Sequence, residues 1–138
     1  FACDVGKFLL NKNNILDTEI YKMEDLLHIN FNLNKKERLL CYETQPTHAM
    51  VITGYNIDDK IINRWQIENS WGEDKNDKND ENDEKDYNGY YSMTDKWMDE
   101  YVFEVIVNKK YVSNDIKKKW NQDIHQYFPL WDPFGSLA

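Results

Sequence analysis

Apolar and polar residues alternate most cleanly at residues 64–69, which predicts a β-strand with one buried face. That face carries two large apolar side chains and also the polar Asn69. Residues 48–55 are instead apolar or β-branched on both faces, a composition typical of a buried central strand. The polar residues 56–60 lie between the two segments, and we therefore expect the strands to form a hairpin.

Two more strands are predicted downstream, at residues 89–93 and 101–107. The first is short and aromatic, whereas the second alternates, so that its apolar side chains share one face. Between them, Thr94 is placed to cap a short helix that carries Trp97. The end of the chain, residues 128–138, contains two prolines and one glycine and is predicted to be irregular.

Three further helices are indicated by capping residues. Thr18 precedes apolar residues at helical spacing and is predicted to cap them. Asn34 with Glu37 resembles a capping box, and Ser113 is placed to begin another helix. With helices first and an antiparallel, barrel-like sheet after them, the chain is predicted to form an α+β domain.

The composition narrows the class of protein. A length of 138 residues with 41% hydrophobic residues supports one packed domain, residues 1–138. No run of about 18 apolar residues exists, so no membrane-spanning helix is expected. A net charge of −8 argues against nucleic acid or an anionic membrane as partner. Two cysteines are too few for a disulfide framework and indicate a reducing compartment, so we expect a cytoplasmic protein.

Most of the net negative charge lies in one segment, residues 73–88. Its first fourteen residues are eight acidic residues, three lysines and three asparagines, with no apolar side chain to offset the entropy of ordering. We interpret it as a disordered surface insertion whose flanks meet in space. A calcium-binding loop is the alternative, but the central glycine and terminal glutamate of the EF-hand pattern are absent.

His48 and Asn69 are the candidates for chemistry. If their strands are neighbours, the Asn69 amide oxygen accepts the imidazole N–H, which fixes one tautomer and leaves the other nitrogen as a base. Trp71 follows two residues later and is placed to shield that hydrogen bond from water. The alternatives are that His48 is structural and that Asn69 only satisfies a turn, since Asn-Ser-Trp-Gly is turn-like in composition.

Neither cysteine fits a nucleophile. A reactive thiol favours the start of a helix, but Cys3 precedes a carboxylate and Cys41 lies near a predicted helix end, where the dipole disfavours a thiolate. Both are interpreted as structural thiols. A zinc site is not expected, because the candidate ligands lack close paired spacing; they are Cys3, Cys41, His28, His48 and His125.

Several segments, in order along the chain, resemble the C-terminal part of papain-like cysteine peptidases, and most closely the bleomycin hydrolase and aminopeptidase C branch. The resemblance covers nearly the whole chain, and the motifs together are far more specific than a single histidine. They are residues 1–7, Thr-His-Ala-Met at 47–50, Trp-Gln-Ile-Glu-Asn-Ser-Trp-Gly-Glu-Asp at 65–74, Gly-Tyr at 89–90, and residues 92–98, 100–105 and 129–138.

This resemblance implies a papain-like fold in which His48 is the catalytic base and acid, Asn69 orients its imidazole, and Trp71 packs over the pair. It also implies that the nucleophilic cysteine and an oxyanion-stabilising glutamine lie upstream of Phe1. The chain is then about the last third of a cysteine aminopeptidase that needs no cofactor, and we expect these 138 residues alone to be inactive. The alternative is a non-catalytic interaction module that has lost its nucleophile.

The resemblance assigns a further role to residues 123–138. In the family this C-terminal arm lies in the active-site cleft, and the carboxylate of Ala138 is then placed to pair with the ammonium group of a peptide substrate. A mobile tail is the alternative. The partners implied are peptide substrates, the rest of the peptidase domain and further copies in a homo-hexamer.

Overall fold

The computed structural model describes residues 1–30, 33–71, 89–122 and 127–134. The strands are β1 (Ala2–Cys3), β2 (Leu9–Leu10), β3 (Ile15–Leu16), β4 (His48–Ala49), β5 (Val51–Asp58), β6 (Ile61–Glu68), β7 (Tyr90–Thr94) and β8 (Val102–Glu104). The helices are α1 (Met23–Leu27), α2 (Lys35–Leu40), α3 (Asp95–Tyr101) and α4 (Asn114–Trp120), with 3₁₀ turns at Asn11–Asn13 and Lys109–Tyr111.

The strands form two sheets. A three-stranded sheet has the order β4-β1-β8, and a five-stranded sheet has the order β2-β3-β7-β6-β5. All neighbours are antiparallel except β3 and β7, which are parallel. The α+β class is therefore confirmed, but the expected barrel-like, wholly antiparallel sheet is not, because the described strands do not close into a barrel.

The prediction of one buried central strand at residues 48–55 is wrong. The segment divides between the two sheets at Met50, which exchanges two backbone hydrogen bonds with Phe1, at 3.1 and 2.9 Å. Beyond Met50 the strand lies at the edge of the larger sheet, where Val51 and Tyr55 are 59% and 65% exposed. Pairing with the chain's first residues, and not the apolar pattern, decides where this segment lies.

The hairpin that follows is confirmed and is tighter than expected. β5 and β6 pair from Val51 opposite Glu68 to Asp58 opposite Ile61, so only two residues form the turn. Both turn residues, Asp59 and Lys60, have positive φ, as the favoured two-residue hairpin turn requires.

The strand predicted at residues 101–107 is also largely wrong. α3 continues to Tyr101, and only Val102–Glu104 is extended. Trp97 and Tyr101 lie four residues apart on the same side of α3, and both are buried. Tyr101 is therefore buried because of helix packing and not because it lies on the apolar face of a strand. Residues 105–107 are exposed and form no strand.

Most predicted helix starts are confirmed. The Thr94 and Ser113 hydroxyls accept the backbone N–H three residues on, at 3.3 and 3.4 Å. Asn34 and Glu37 form a complete capping box at 3.0 and 2.9 Å. At these three positions a local side-chain acceptor marks the helix start, as predicted.

The helix predicted after Thr18 begins later and is only one turn long, Met23–Leu27. Asp17 instead starts a turn, in which its side chain accepts the N–H of Glu19 at 3.0 Å and its carbonyl accepts the N–H of Ile20 at 3.4 Å, a donor that a cap at Thr18 would need. The Thr18 hydroxyl is buried and has no hydrogen-bond partner within the described structure. Leu26 and Leu27 at the end of this turn are exposed.

The core lies between the sheets and α3. Its fully buried side chains are Cys3, Leu16, Ile67, Met93 and Trp97, together with Thr44. The Trp97 indole N–H donates to the Lys7 carbonyl at 2.7 Å, which ties α3 to the turn after β1. The large hydrophobic face of this tryptophan and its one polar group are therefore both satisfied.

α2 is fastened to the end of α3. The Lys35 ammonium donates to the carbonyls of Asp99 (2.7 Å) and Val102, and burial lowers its pKa. The Arg38 guanidinium forms an ion pair with Glu100 and lies over the Tyr101 ring. These contacts hold α2, the helix that precedes the segment leading to His48, against the end of α3. The Lys35 ammonium also satisfies carbonyls at that end.

The acidic insertion at 73–88 lies outside the described residues, and so do residues 123–126 and 135–138 of the C-terminal arm. Residues 127–134 contain only turns and irregular structure, as predicted. The Tyr42 hydroxyl donates to the Trp131 carbonyl at 2.5 Å, and Phe134 meets Phe103 edge to face. No helix among the described residues is long and apolar enough to cross a bilayer.

Trp97→Phe is expected to lower the free energy of unfolding by about 1–3 kcal/mol, because it removes buried ring area and leaves the Lys7 carbonyl without its donor. Urea unfolding measures this change. Trp120→Phe is the matched control, since Trp120 is 79% exposed and its replacement should change stability by less than about 0.5 kcal/mol. Equal effects of the two substitutions would contradict the packing described.

Candidate active site

His48 is placed by the pairing of two very short strands. It lies in β4 opposite Cys3 of β1, and the Thr47 N–H donates to the Cys3 carbonyl at 2.9 Å. The imidazole is half-buried. The backbone position of this histidine is thus set by the first residues of the chain, 45 positions away.

Asn69 is placed by the end of β6. Its backbone N–H donates to the Gly89 carbonyl at 3.0 Å, which extends the β6–β7 ladder by one bond beyond the last strand pair, Glu68 and Tyr90. The side chain is 7% exposed and points to the same side as the fully buried Ile67. The sheet register therefore delivers a polar amide into the interior, as the alternation of this strand predicts.

The two side chains meet. His48 Nε2 lies 2.8 Å from Asn69 Oδ1. The same oxygen accepts the backbone N–H of Ser70 at 2.8 Å, which fixes the orientation of the amide, because only its oxygen is able to accept both bonds. Nε2 must therefore carry the proton, and in the neutral ring Nδ1 is the nitrogen with a free lone pair.

Trp71 lies against the imidazole. The ring centroids of His48 and Trp71 are 4.8 Å apart with a tilt of 33°, and Tyr91 of β7 meets the indole edge to face at 6.2 Å. Trp71 is 53% exposed, so one part of the indole covers the histidine while the rest faces solvent. The arrangement limits the access of water to the imidazole from that side.

The Asn69 amide is only half satisfied. Its Nδ2 group is buried and has no hydrogen-bond partner among the described residues. A buried unpaired donor costs about 1–3 kcal/mol, so the orientation of this amide comes from the two bonds to its oxygen. The sequence indicated the histidine partner but not the Ser70 N–H, since any non-proline residue at position 70 supplies that donor.

The two cysteines are held away from this chemistry. Cys3 is 0% exposed, its sulfhydryl donates to the backbone carbonyl of His48 at 3.7 Å, and burial raises its pKa to about 12, with the Asp4 carboxylate adding to the effect. Cys41 is exposed at the end of α2, and its sulfhydryl donates to the Arg38 carbonyl at 3.6 Å. Because its pKa is raised, the Cys3 side chain has almost no thiolate at neutral pH.

The remaining candidate residues are apart from the pair or not described. His28 is exposed at the end of α1. His125 and Ala138 lie outside the described residues, so the role of the Ala138 carboxylate stays a prediction. No group of three or more metal-ligating side chains is found within the described parts of the chain.

Sequence reasoning missed one group near the site. Asp4 is 6% exposed, and its carboxylate accepts hydrogen bonds from the segment that leads into His48. Nothing local marks it, because its partners lie about forty residues along the chain.

Comparison with known proteins decides the family. The Peptidase C1-like family matches residues 1–135 of the chain. This chain belongs to that family. Papain-like peptidases share this mixed α+β architecture, and the His–Asn contact described above lies where the two sheets come together at Met50.

Named relatives cover the full length of the chain. It is 40% identical to aminopeptidase C of Listeria monocytogenes over 138 residues, and 40% and 38% identical to the bleomycin hydrolases of Gallus gallus and Homo sapiens over 142 residues. The crystal structure of PepW from Lactobacillus rhamnosis matches 96% of the chain with a TM-score of 0.81 and 36% identity. The chain spans 29% of the length of these curated relatives and 28% of the PepW chain.

Alkylation separates the two cysteines. With iodoacetamide at pH 8, Cys41 is expected to react at least about 100-fold faster than Cys3, because Cys3 is buried and its pKa near 12 leaves almost no thiolate. Peptide mass mapping measures both rates in one sample. In denaturant the two rates should converge, and convergence already in the native protein would show that Cys3 is accessible.

Proposed function

We propose that this chain is the histidine- and asparagine-bearing part of a cysteine aminopeptidase that removes N-terminal residues from peptides. The observation that carries the proposal is the bond between His48 Nε2 and Asn69 Oδ1, with its tautomer fixed by the Ser70 N–H. Membership of the Peptidase C1-like family and the similarity to enzymes named aminopeptidase C and bleomycin hydrolase support it.

The nucleophile in this proposal is a cysteine of the whole protein outside these 138 residues. Neither Cys3 nor Cys41 suits the role, since one is buried with a raised pKa and the other lies on the exposed end of α2. A glutamine of the whole protein, also outside these 138 residues, supplies an oxyanion donor in this proposal. The 138 residues alone are accordingly proposed to be inactive.

His48 performs the proton transfers. Nδ1 takes the proton of the thiol, and the thiolate attacks the carbonyl carbon of the N-terminal residue. The imidazolium then gives its proton to the leaving amine, and an acyl-enzyme remains. His48 next takes a proton from water, whose oxygen attacks the acyl carbon; the thiol leaves with the proton and the amino acid is released. Throughout, Nε2 stays bonded to Asn69.

Trp71 and Asn69 support this cycle in different ways. Asn69 stabilises the imidazolium and prevents rotation of the ring, because its oxygen is held by a second donor. Trp71 reduces the access of water to the His48 ring, which strengthens the hydrogen bond in a less polar environment.

The remaining parts of the proposal concern the whole enzyme. The C-terminal arm, residues 123–138, is proposed to lie in the cleft, where the Ala138 carboxylate pairs with the substrate ammonium and restricts cleavage to the amino end. A cytoplasmic homo-hexamer is the proposed assembly. Support comes from the resemblance of residues 129–138 to the tail of this family.

His48→Ala in the full-length protein is expected to lower kcat on an aminoacyl fluorogenic amide by at least about 100-fold, because the proton carrier is lost. His28→Ala is the matched control, since His28 is an exposed histidine at the end of α1 with no described contact to Asn69, and its replacement should leave kcat unchanged. Circular dichroism checks that both variants fold. Full turnover by His48→Ala would exclude the proposed mechanism. It would favour a protein in which His48 and Asn69 take no part in catalysis.

Asn69→Ala is expected to lower kcat less, by about 10- to 100-fold, because it removes the orientation of the ring and leaves the proton carrier in place. Steady-state kinetics of the full-length protein measures the change. Asn63→Ala, an exposed amide on the same strand, is the control and should have no effect. Wild-type kcat in Asn69→Ala would show that the contact is not used in catalysis.

A further inference from the structure

We propose that Asp4 is a positioning residue for His48, fastening the segment 44–47 that leads into the histidine. This inference rests on the proposed function, because it names a group that acts on the reaction through His48. The turn after β1 carries Asp4, and its backbone N–H is held by the Tyr101 carbonyl at 3.0 Å. The aspartate is thus anchored to α3 on one side and reaches the histidine segment on the other.

Three donors converge on the Asp4 carboxylate. Its Oδ2 accepts the Thr44 hydroxyl at 2.8 Å and the Gln45 backbone N–H at 3.3 Å, and its Oδ1 lies 3.4 Å from the Thr47 hydroxyl, which shares its single proton with the Cys3 carbonyl at the same distance. Asp4 and Thr44 are 6% and 1% exposed. All three donors precede His48 within four residues, so the carboxylate holds the whole approach to the histidine.

The burial of this carboxylate needs an explanation. No ion pair to Asp4 is found among the described residues, and its partners are hydroxyl and amide groups alone. Moving a charged group out of water is costly unless hydrogen bonds compensate. A carboxylate is nevertheless suited here, because it is the side chain with acceptors only and every group facing it has a proton to donate.

The same turn makes a second contact with this segment. Lys7, three residues after Asp4, forms an ion pair with Glu43 at 2.6 Å, and Arg38 of α2 lies 3.8 Å from the same carboxylate. These groups are partly exposed, so each pair contributes little alone. Both pairs nonetheless act on the same part of the chain. They hold residue 43, and Asp4 holds residues 44–47 directly after it.

Positioning matters because β4 is only two residues long. The pairing of His48 and Ala49 with β1 fixes few backbone angles, and residues 44–47 before it form no helix or strand. A change in the backbone at Thr47 is passed directly to the imidazole. Displacement of a catalytic group by about 1 Å costs on the order of 100-fold in rate, so the anchors of this segment bear on turnover.

Asp4→Asn separates connection from charge. With the amide oxygen at the place of Oδ2, the bonds from Thr44 and Gln45 are kept, and the amide nitrogen donates to the Thr47 hydroxyl, which also accepts. Asp4→Ala removes all three bonds. A second pair tests the partner: Thr44→Val removes the hydroxyl with little change in shape, and Thr44→Ser keeps it.

The experiment measures kcat and KM of the full-length enzyme with these four variants, per mole of folded protein. We expect Asp4→Ala to lower kcat by about 10-fold or more with KM within twofold of wild type. Asp4→Asn should stay within about threefold of the wild-type kcat. Thr44→Val should lower kcat by at least about threefold, and Thr44→Ser should restore it.

Controls distinguish positioning from general stability. Leu16 lies in the core and makes none of the contacts above. Leu16→Ala should therefore lower the unfolding midpoint while leaving the kcat of the folded protein unchanged. Wild-type kcat in folded Asp4→Ala overturns the proposal, as does an Asp4→Asn as impaired as Asp4→Ala. If Asp4→Ala does not fold, the Thr44 pair decides, and equal kcat in Thr44→Val and Thr44→Ser overturns it. An active His48→Ala would instead reject the proposed function itself.

Discussion

The structure depends on the backbone pairing between the first residues of the chain and the segment around His48. Cys3 lies opposite His48, and two positions further the bonds between Phe1 and Met50 turn the chain from the smaller sheet into the larger one. These contacts join residues more than forty positions apart and so close a long loop, although the β3–β7 and β1–β8 pairings close longer ones. This closure brings the histidine of one sheet to Asn69 at the end of the other.

The two halves of the site are held by different means. Asn69 belongs to a long antiparallel ladder, in which β6 is paired on both sides and Ile67 is fully buried. His48 belongs to a strand of two residues that pairs with β1, and the segment before it is bonded to the Asp4 carboxylate. The Asn69 oxygen, the acceptor, is thus held rigidly by the sheet, whereas His48, the donor, is held by several small contacts.

Local features were predicted from the sequence where the physics is local. The caps at Thr94 and Asn34 require only nearby backbone groups, and the polar Asn69 on an apolar face required a buried partner. Failures arose where distant groups decide. The apolar residues 48–55 fit an edge as well as a centre, since their pattern does not name neighbours, and Asp4 showed no signal because its donors lie far along the chain.

The second bond to the Asn69 oxygen has a consequence for how the site varies. The choice of protonated ring nitrogen in His48 depends on the amide orientation, and that orientation is set by a main-chain N–H at position 70. Side-chain chemistry at that position is therefore immaterial to the tautomer, and proline is the one residue that would remove the donor. The preference for one tautomer is in this way encoded in the backbone, where eighteen alternatives to serine among the twenty amino acids leave it intact.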